Sequence, residues 1–265
     1  MIQAVMLDWA GTMVDYGCFA PLNAFVDVFA RRGIEVTAEE ARGPMGMLKR
    51  DHIQAMCRME RIAGLWESRF GAPPAEADVD ALYADFEPML FRTLKDYATP
   101  VPGAVELAAR LRGQGIKIGS TTGYTRAMMD VVCPSAAAQG YAPDYLVTPD
   151  EAGAGRPYPW MIYRNAEHLD VYPMHHVVKA GDTVSDMQEG VNAGCWTVGV
   201  ILGGSELGMT AAEADACEAG ELQARKDAVA KRLREAGAHY VIDRIGELDG
   251  LIPQLNARIA GGERP

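Results

Sequence analysis

The chain has 265 residues, 49% hydrophobic and 23% charged, with 25 basic against 36 acidic side chains and a net charge of −11. That is length enough to bury a full core, and the acidic balance works against nucleic acid or an anionic membrane as partner. No apolar run approaches the roughly 18 residues of a membrane span. The five scattered cysteines (Cys18, Cys57, Cys133, Cys195, Cys217) form no Cys-x-x-Cys pair, so a cytoplasmic protein with free thiols and no leader is expected.

Ile2 to Leu7 reads as a buried strand ending in Asp8-Trp9-Ala10-Gly11-Thr12. From about Pro21 to Tyr97 the pattern is helical. Leu22, Phe25, Val26 and Phe29 share one face; Ile53, Met56, Cys57 and Glu60 begin a second pattern; Leu82, Phe86, Met89, Leu90 and Leu94 give a third. Strand–helix alternation then returns. A helix runs from Pro102-Gly103 to Gly113, followed by a strand at Ile116–Thr121 and a helix from Arg126 to Val132. A short strand at Tyr145–Val147 and a helix from Trp160 to His168 come next. His176–Gly181 is a strand ending in Asp182, with a helix over Met187–Asn192 behind it. Trp196–Leu202 is a strand, Ala211–Glu235 one long helix, Tyr240–Ile242 a last strand, and a helix closes the chain before a frayed tail at Gly261–Pro265.

This order predicts an α/β protein with a doubly wound parallel sheet. The all-helical block interrupts it after the first strand. The expected division is a core of residues 1–17 and 99–265 with a helical cap of residues 18–98, seated over the tip of the first strand beside Asp8.

Strand tips are where open α/β sheets bind their ligands. Four such places carry chemistry: Asp8, the turn Ser120-Thr121-Thr122-Gly123, Arg156, and Asp182 with Asp186. Singly each has a bland reading as a turn former, a helix cap or a solvated loop cation. Jointly, at one sheet edge, they make a phosphoryl-transfer site. The Asp8 carboxylate would attack phosphorus. Asp8, a backbone carbonyl and Asp182 would hold Mg²⁺, whose hardness suits oxygen ligands. Thr122 and the Gly123 amide would bind phosphoryl oxygens at a helix N-terminus, and Arg156 would spread the developing charge. Asp186, with Thr12 in the first turn, would orient the metal ligands. Many phosphoryl-transfer enzymes of this layout carry a second Asp where Ala10 stands, as general acid and base. A methyl there means that the chemistry does not need that proton donor.

These motifs resemble those of the haloacid dehalogenase superfamily along nearly the whole chain. The segments Asp8–Thr12, Met45–His52, Gly119–Thr125 and Lys179–Asp186 together resemble its phosphonatase family, which cleaves phosphorus–carbon bonds. Where many superfamily members carry Lys, Arg156 is what the phosphonatase family is expected to have. The resemblance implies a metal contact through the Ala10 backbone carbonyl, a small phosphonate as substrate, and a homodimer formed through the cap. The Met-rich stretch from Met45 to Met59 suits such an interface. Lys49 fits the same chemistry. A carbanion is a poor leaving group, but if the neighbouring carbonyl becomes a protonated imine, the electron pair leaves as an enamine. That needs a lysine that is unprotonated near neutral pH. Gly43-Pro44 reads as a helix start that puts Lys49 about a turn in, near the positive end of the dipole. Cap closure would desolvate it as well, and both effects lower its pKa. His52, three residues on, would share its face, and either it or a water would relay protons to the carbinolamine. Cys18, Met45 and Tyr124 are further candidates for substrate contact; Cys18 and Met45 read equally as packing residues, and Tyr124 as a cap of its own helix.

Other readings make different demands. A phosphomonoesterase or phosphomutase would want the second Asp that Ala10 replaces. A dehalogenase would have no use for Asp182 or Lys49. A non-catalytic relative would be expected to have lost Asp8, Lys49 or Asp182. Asp15 reads as local turn chemistry, His175-His176 offers no shared metal face, and Gly203-Gly204 lacks nucleotide-loop spacing.

Overall fold

The computed structural model describes residues 1–265. Six parallel strands form one sheet: β1 (Ala4–Leu7), β2 (Lys117–Thr121), β3 (Tyr145–Val147), β4 (Val177–Gly181), β5 (Trp196–Val200) and β6 (Tyr240–Ile242), in the order β3-β2-β1-β4-β5-β6. β1, β4 and β5 are buried along their whole length. That is why they read as apolar runs rather than alternating ones. The order changes direction between β1 and β4, the switch point at which such sheets open a crevice. Register then decides what meets there. Leu7 lies beside Ser120 on one flank and Ala180 on the other. The next residues of β1, β2 and β4, among them Asp8, Thr121 and Gly181, therefore emerge at one edge.

Six helices lie between β1 and β2, and the first five form the insertion: α1 (Phe19–Ala30), α2 (Ala38–Arg42), α3 (Lys49–Cys57), α4 (Glu60–Phe70) and α5 (Glu76–Thr93). Then α6 (Ala104–Gly113) resumes the wound sheet. The insertion holds no strand and packs through its own apolar stripes. Phe25 of α1 stacks on Phe86 of α5 with ring centroids 4.4 Å apart, and Ile53, Leu82 and Leu90 are fully buried. Burial of each such side chain contributes about 1.5–3 kcal/mol. Arg42 fastens the insertion to the sheet side, its Nη1 donating to the carbonyls of Gly17 (2.8 Å) and Ser205 (3.0 Å). The other helices are α7 (Arg126–Ala137), α8 (Pro149–Ala152), α9 (Trp160–His168), α10 (Val184–Ala193), α11 (Ala211–Ala216), α12 (Ala219–Glu235) and α13 (Leu248–Ala260). No helix is long and apolar enough to cross a membrane, and all five cysteines are unpaired.

Several expected boundaries move. Gly43-Pro44 does not start a helix: Gly46 takes φ +88°, and the helix begins at Lys49 itself. The single helix expected over Ala211–Glu235 is two, because Cys217 turns extended and Glu218 caps the second, its carboxylate accepting from the Glu221 amide. Glu60 belongs to no stripe with Cys57; it opens α4 after a break at Arg58–Met59. α7 runs on past Val132 through Pro134, and β5 stops at Val200.

Candidate active site

Asp8 follows β1 directly. Its Oδ1 accepts from Arg156 Nη2 at 2.6 Å. Burial raises its pKa, the nearby Asp186 adds to the rise, and Arg156 and Lys179 oppose it. Asp182 follows β4 and is fully buried. Its two oxygens accept from Thr12 Oγ1 and from the Ser205 amide, both at 2.7 Å. Burial, then Asp8 and Asp186, push its pKa well up. Asp186 lies in the first turn of α10, in a reciprocal cap with Thr183. Burial pushes its pKa up as well, but Arg156 (3.1 Å) and Lys179 (2.8 Å) outweigh this and hold it low.

The fit to a metal follows from this donor set. Asp8, Asp182 and Asp186 can bring one oxygen each within 4.8 Å of one another. Asp186 is already committed to two cations and the Thr183 cap. Asp8 and Asp182 are therefore the carboxylates with capacity to spare. Four buried carboxylates (Asp8, Asp182, Asp186, Glu189) surround two buried cations, Arg156 and Lys179, so a divalent ion on oxygen ligands would balance the charge.

A narrow pocket opens above Asp8. Its floor includes Ala10, Thr122 and Gly123, and Arg156 and Thr183 close one side. The insertion supplies the roof: Cys18, Met45, Gly46 and Lys49, with Tyr124 from the sheet side. Thr122 Oγ1 accepts from the Tyr124 amide at 3.1 Å, which fixes the turn. The roof sits directly on backbone. A methyl on Gly46 would come 2.5 Å from Thr183 Oγ1, and one on Gly123 would meet the Met47 and Gly46 carbonyls at 2.6 and 2.8 Å.

Lys49 is buried at the first position of α3. Its Nζ lies 4.9 Å from the centre of the Tyr124 ring and 5.8 Å from that of Phe25, a cation–π setting. Burial lowers its pKa from 10.5 to about 8. Cys18, at the left-handed residue before α1, has its thiol pushed well up by burial and then by Asp15. Tyr124 is held protonated by the same two causes. Asp15 does the local work expected of it, accepting from the amides of Phe19 and Ala20 at 3.0 Å each.

His52 is the candidate that the fold does not bring to the pocket. Its Nε2 bonds the Ala41 carbonyl at 2.9 Å, and its ring stacks on Phe25 at 3.7 Å. Burial, then Lys49, drives its pKa well down. It faces the interior of the insertion, where the Ala41 carbonyl and the Phe25 ring occupy its two sides.

Two residues at the site received no role from the sequence. Lys179 Nζ lies 2.7 Å from Thr121 Oγ1 and 3.1 Å from Glu189 Oε2, and Arg156 Nε lies 3.0 Å from that same oxygen. A signal existed: a lysine inside the apolar run Val177-Val178-Lys179-Ala180 must find buried partners. Glu189 stands one helical turn after Asp186, on the same face.

A model of the haloacid dehalogenase-like hydrolases matches residues 2–194. The phosphonoacetaldehyde hydrolase of Bacillus cytotoxicus is 61% identical over 254 residues, 96% of each chain. The chain belongs to the phosphonoacetaldehyde hydrolase family. A bifunctional phosphonoacetaldehyde hydrolase/aminoethylphosphonate transaminase of Clostridioides difficile is 59% identical over 96% of this chain, which spans only 40% of that longer relative. Among solved structures, a phosphonoacetaldehyde hydrolase-like protein from Oleispira antarctica superposes with a TM-score of 0.97 at 40% identity, covering 100% of this chain and 96% of its own.

Proposed function

We propose that the protein hydrolyses the phosphorus–carbon bond of phosphonoacetaldehyde, releasing acetaldehyde and phosphate. The observation that carries this reading is the single narrow pocket with Asp8 at its floor and a buried, pKa-lowered lysine in its roof. A phosphatase pocket needs the first and has no use for the second.

The free amine of Lys49 would attack the aldehyde carbon, and loss of water would leave a protonated imine. The Asp8 carboxylate would then attack phosphorus. The phosphorus–carbon electron pair moves into the enamine, and the phosphoryl group passes to Asp8. Water releases phosphate from Asp8. The enamine takes a proton on carbon, and a second water frees acetaldehyde and Lys49. Arg156, the Thr122 hydroxyl and the Gly123 amide would hold the phosphonate oxygens as charge shifts. Met45, Cys18 and Tyr124 would keep bulk water from the imine. Asp8, Asp182 and the Ala10 carbonyl would hold Mg²⁺, with Thr12 and Asp186 orienting the carboxylates. When bound, the ion would screen Asp8 from the anionic substrate and polarise the phosphonate. No general acid at position 10 is required, because the leaving carbon departs as an enamine. His52 has no step here; it shapes the roof under Lys49.

Residues 18–98 would act as the cap that closes this pocket over the core of 1–17 and 99–265. For a homodimer through the cap, the Met-rich stretch offers little surface, since Met45 and Met56 are buried within the chain. The exposed apolar side chains of the insertion are Leu65 and Phe70 on α4. Activity is tested by giving the protein phosphonoacetaldehyde and following acetaldehyde and phosphate, with and without EDTA. The two products should appear one to one and stop with EDTA. Phosphate release from simple phosphomonoesters at a higher rate than from the phosphonate would defeat the reading.

A further inference from the structure

Arg156 faces more negative charge than one guanidinium can neutralise. Its Nη2 lies 2.6 Å from Asp8 and 3.1 Å from Asp186, and its Nε lies 3.0 Å from Glu189. All of these side chains are buried. An arginine drawn equally by three carboxylates would have no reason to aim at Asp8. Lys179 removes that ambiguity. Its Nζ stands 2.8 Å from Asp186 and 3.1 Å from Glu189 and makes no ion pair with Asp8. Thr121 Oγ1 ties the parts together: it accepts from Lys179 Nζ at 2.7 Å and Arg156 Nη2 at 2.9 Å and donates to Glu189 Oε2 at 2.9 Å.

The chain gives up local stability where α10 packs on this lysine and on Thr197. Gly190 lies inside α10, where glycine costs about 1 kcal/mol relative to alanine. A methyl there would come 2.9 Å from Lys179 Cβ and 2.5 Å from Thr197 Cγ2. The Thr197 methyl and the lysine stem together occupy the space a helix side chain would fill. A buried ion pair is weak evidence for stability in itself, since apolar residues often serve as well. Here every member of the network also touches Arg156 or a partner of it.

We propose that Lys179 and Glu189 are positioning residues for the reaction: Glu189 fixes the guanidinium of Arg156 at Nε, and Lys179 neutralises Glu189 and Asp186 so that Nη2 stays directed at Asp8 and the phosphoryl group. The proposal rests on the phosphoryl-binding role of Arg156 set out above. Neither residue touches substrate; both act through Arg156.

The test is a double-mutant cycle on the full chain with phosphonoacetaldehyde, reading kcat, KM and the melting temperature. Lys179→Met leaves Glu189 and Asp186 competing for Arg156. It should lower kcat about a hundredfold, the scale of a misplaced charge-stabilising donor, with KM changed by no more than about threefold. Adding Glu189→Gln should recover at least about tenfold of that kcat, a coupling of the size found within shared networks. Stability does not predict such a rescue, because a merely structural pair would lose melting temperature and keep kcat in the folded protein. A folded Lys179→Met variant with the parent's kcat overturns the proposal, as does a double variant no faster than the single. If Lys179→Met does not fold, Glu189→Gln alone decides: a drop in kcat of about tenfold supports the proposal, and an unchanged kcat overturns it. Borohydride trapping of Lys49 with substrate is run on every variant. If the parent does not trap, the functional reading has failed; if the parent traps and the variants keep its kcat, only the positioning role has failed.

Discussion

Replacing Lys49 with methionine is expected to stabilise the protein while removing its activity. The side chain is only 3% exposed, and burial pulls its pKa from 10.5 to about 8. The folded protein therefore holds that proton about 300-fold more weakly than the unfolded chain, a difference of about 3 kcal/mol. The direction follows from which state binds the proton. Below pH 8 both states are protonated and the folded state bears the whole penalty. Between about pH 8 and 10.5 the unfolded chain binds more protons, so stability rises with pH. Above that window the penalty is gone. Methionine fills much the same volume without a charge, so Lys49→Met should be more stable than the parent by about 2–4 kcal/mol at pH 7. The advantage should shrink steadily between pH 8 and 10. Urea unfolding of both proteins at a series of pH values measures this directly. A variant less stable than the parent at pH 7, or a gap that does not change with pH, would show that Lys49 is not held as a desolvated amine.

Asp8→Asn should fold normally and lose about four orders of magnitude or more in kcat, as when an acting nucleophile is removed; steady-state kinetics on the purified variant checks it. Ala10→Asp, which restores the second carboxylate, should leave phosphonoacetaldehyde turnover unchanged or lower, and a gain would contradict the account of the enamine leaving group. In Gly123→Ala the new methyl would meet the Met47 and Gly46 carbonyls at 2.6 and 2.8 Å. The roof must lift, and KM should rise about tenfold or more with little change in melting temperature, because the pressed backbone belongs to the pocket rather than the core.

The strands were legible because parallel strands buried on both faces write continuous apolar runs. Tyr145–Val147 and Tyr240–Ile242 fall where those runs end. The strand-tip residues followed, since residues after each run must emerge at one edge. What stayed hidden depends on backbone turns and on pairings across the fold. Gly43-Pro44 carries the usual mark of a helix start, yet the left-handed turn at Gly46 delays α3 to Lys49. The effect is to bring Lys49 closer to the helix N-terminus than its spacing from Pro44 implied. The break at Cys217 has no proline to announce it, and Gly220 just after it lies inside the second helix. His52 carried the chemistry of a proton relay, but its partners, the Ala41 carbonyl and the Phe25 ring, come from α2 and α1, and no local pattern announces them. Lys179 and Glu189 looked like interior residues of a strand and a helix; beyond Asp186 and each other, their partners are Thr121 on β2 and Arg156 in the loop before α9, and only the sheet order brings them together.

The central claim is that Lys49 bonds covalently to the substrate carbon. Sodium borohydride added during turnover of phosphonoacetaldehyde should inactivate the protein irreversibly and leave an added mass on the peptide containing Lys49. Borohydride alone, or with inorganic phosphate, should leave that peptide unchanged. Lys49→Arg should neither turn over nor label, because a guanidinium stays protonated and cannot attack a carbonyl. A label on Lys95 or Lys179 instead, or phosphate release that continues with no label at all, would contradict the account.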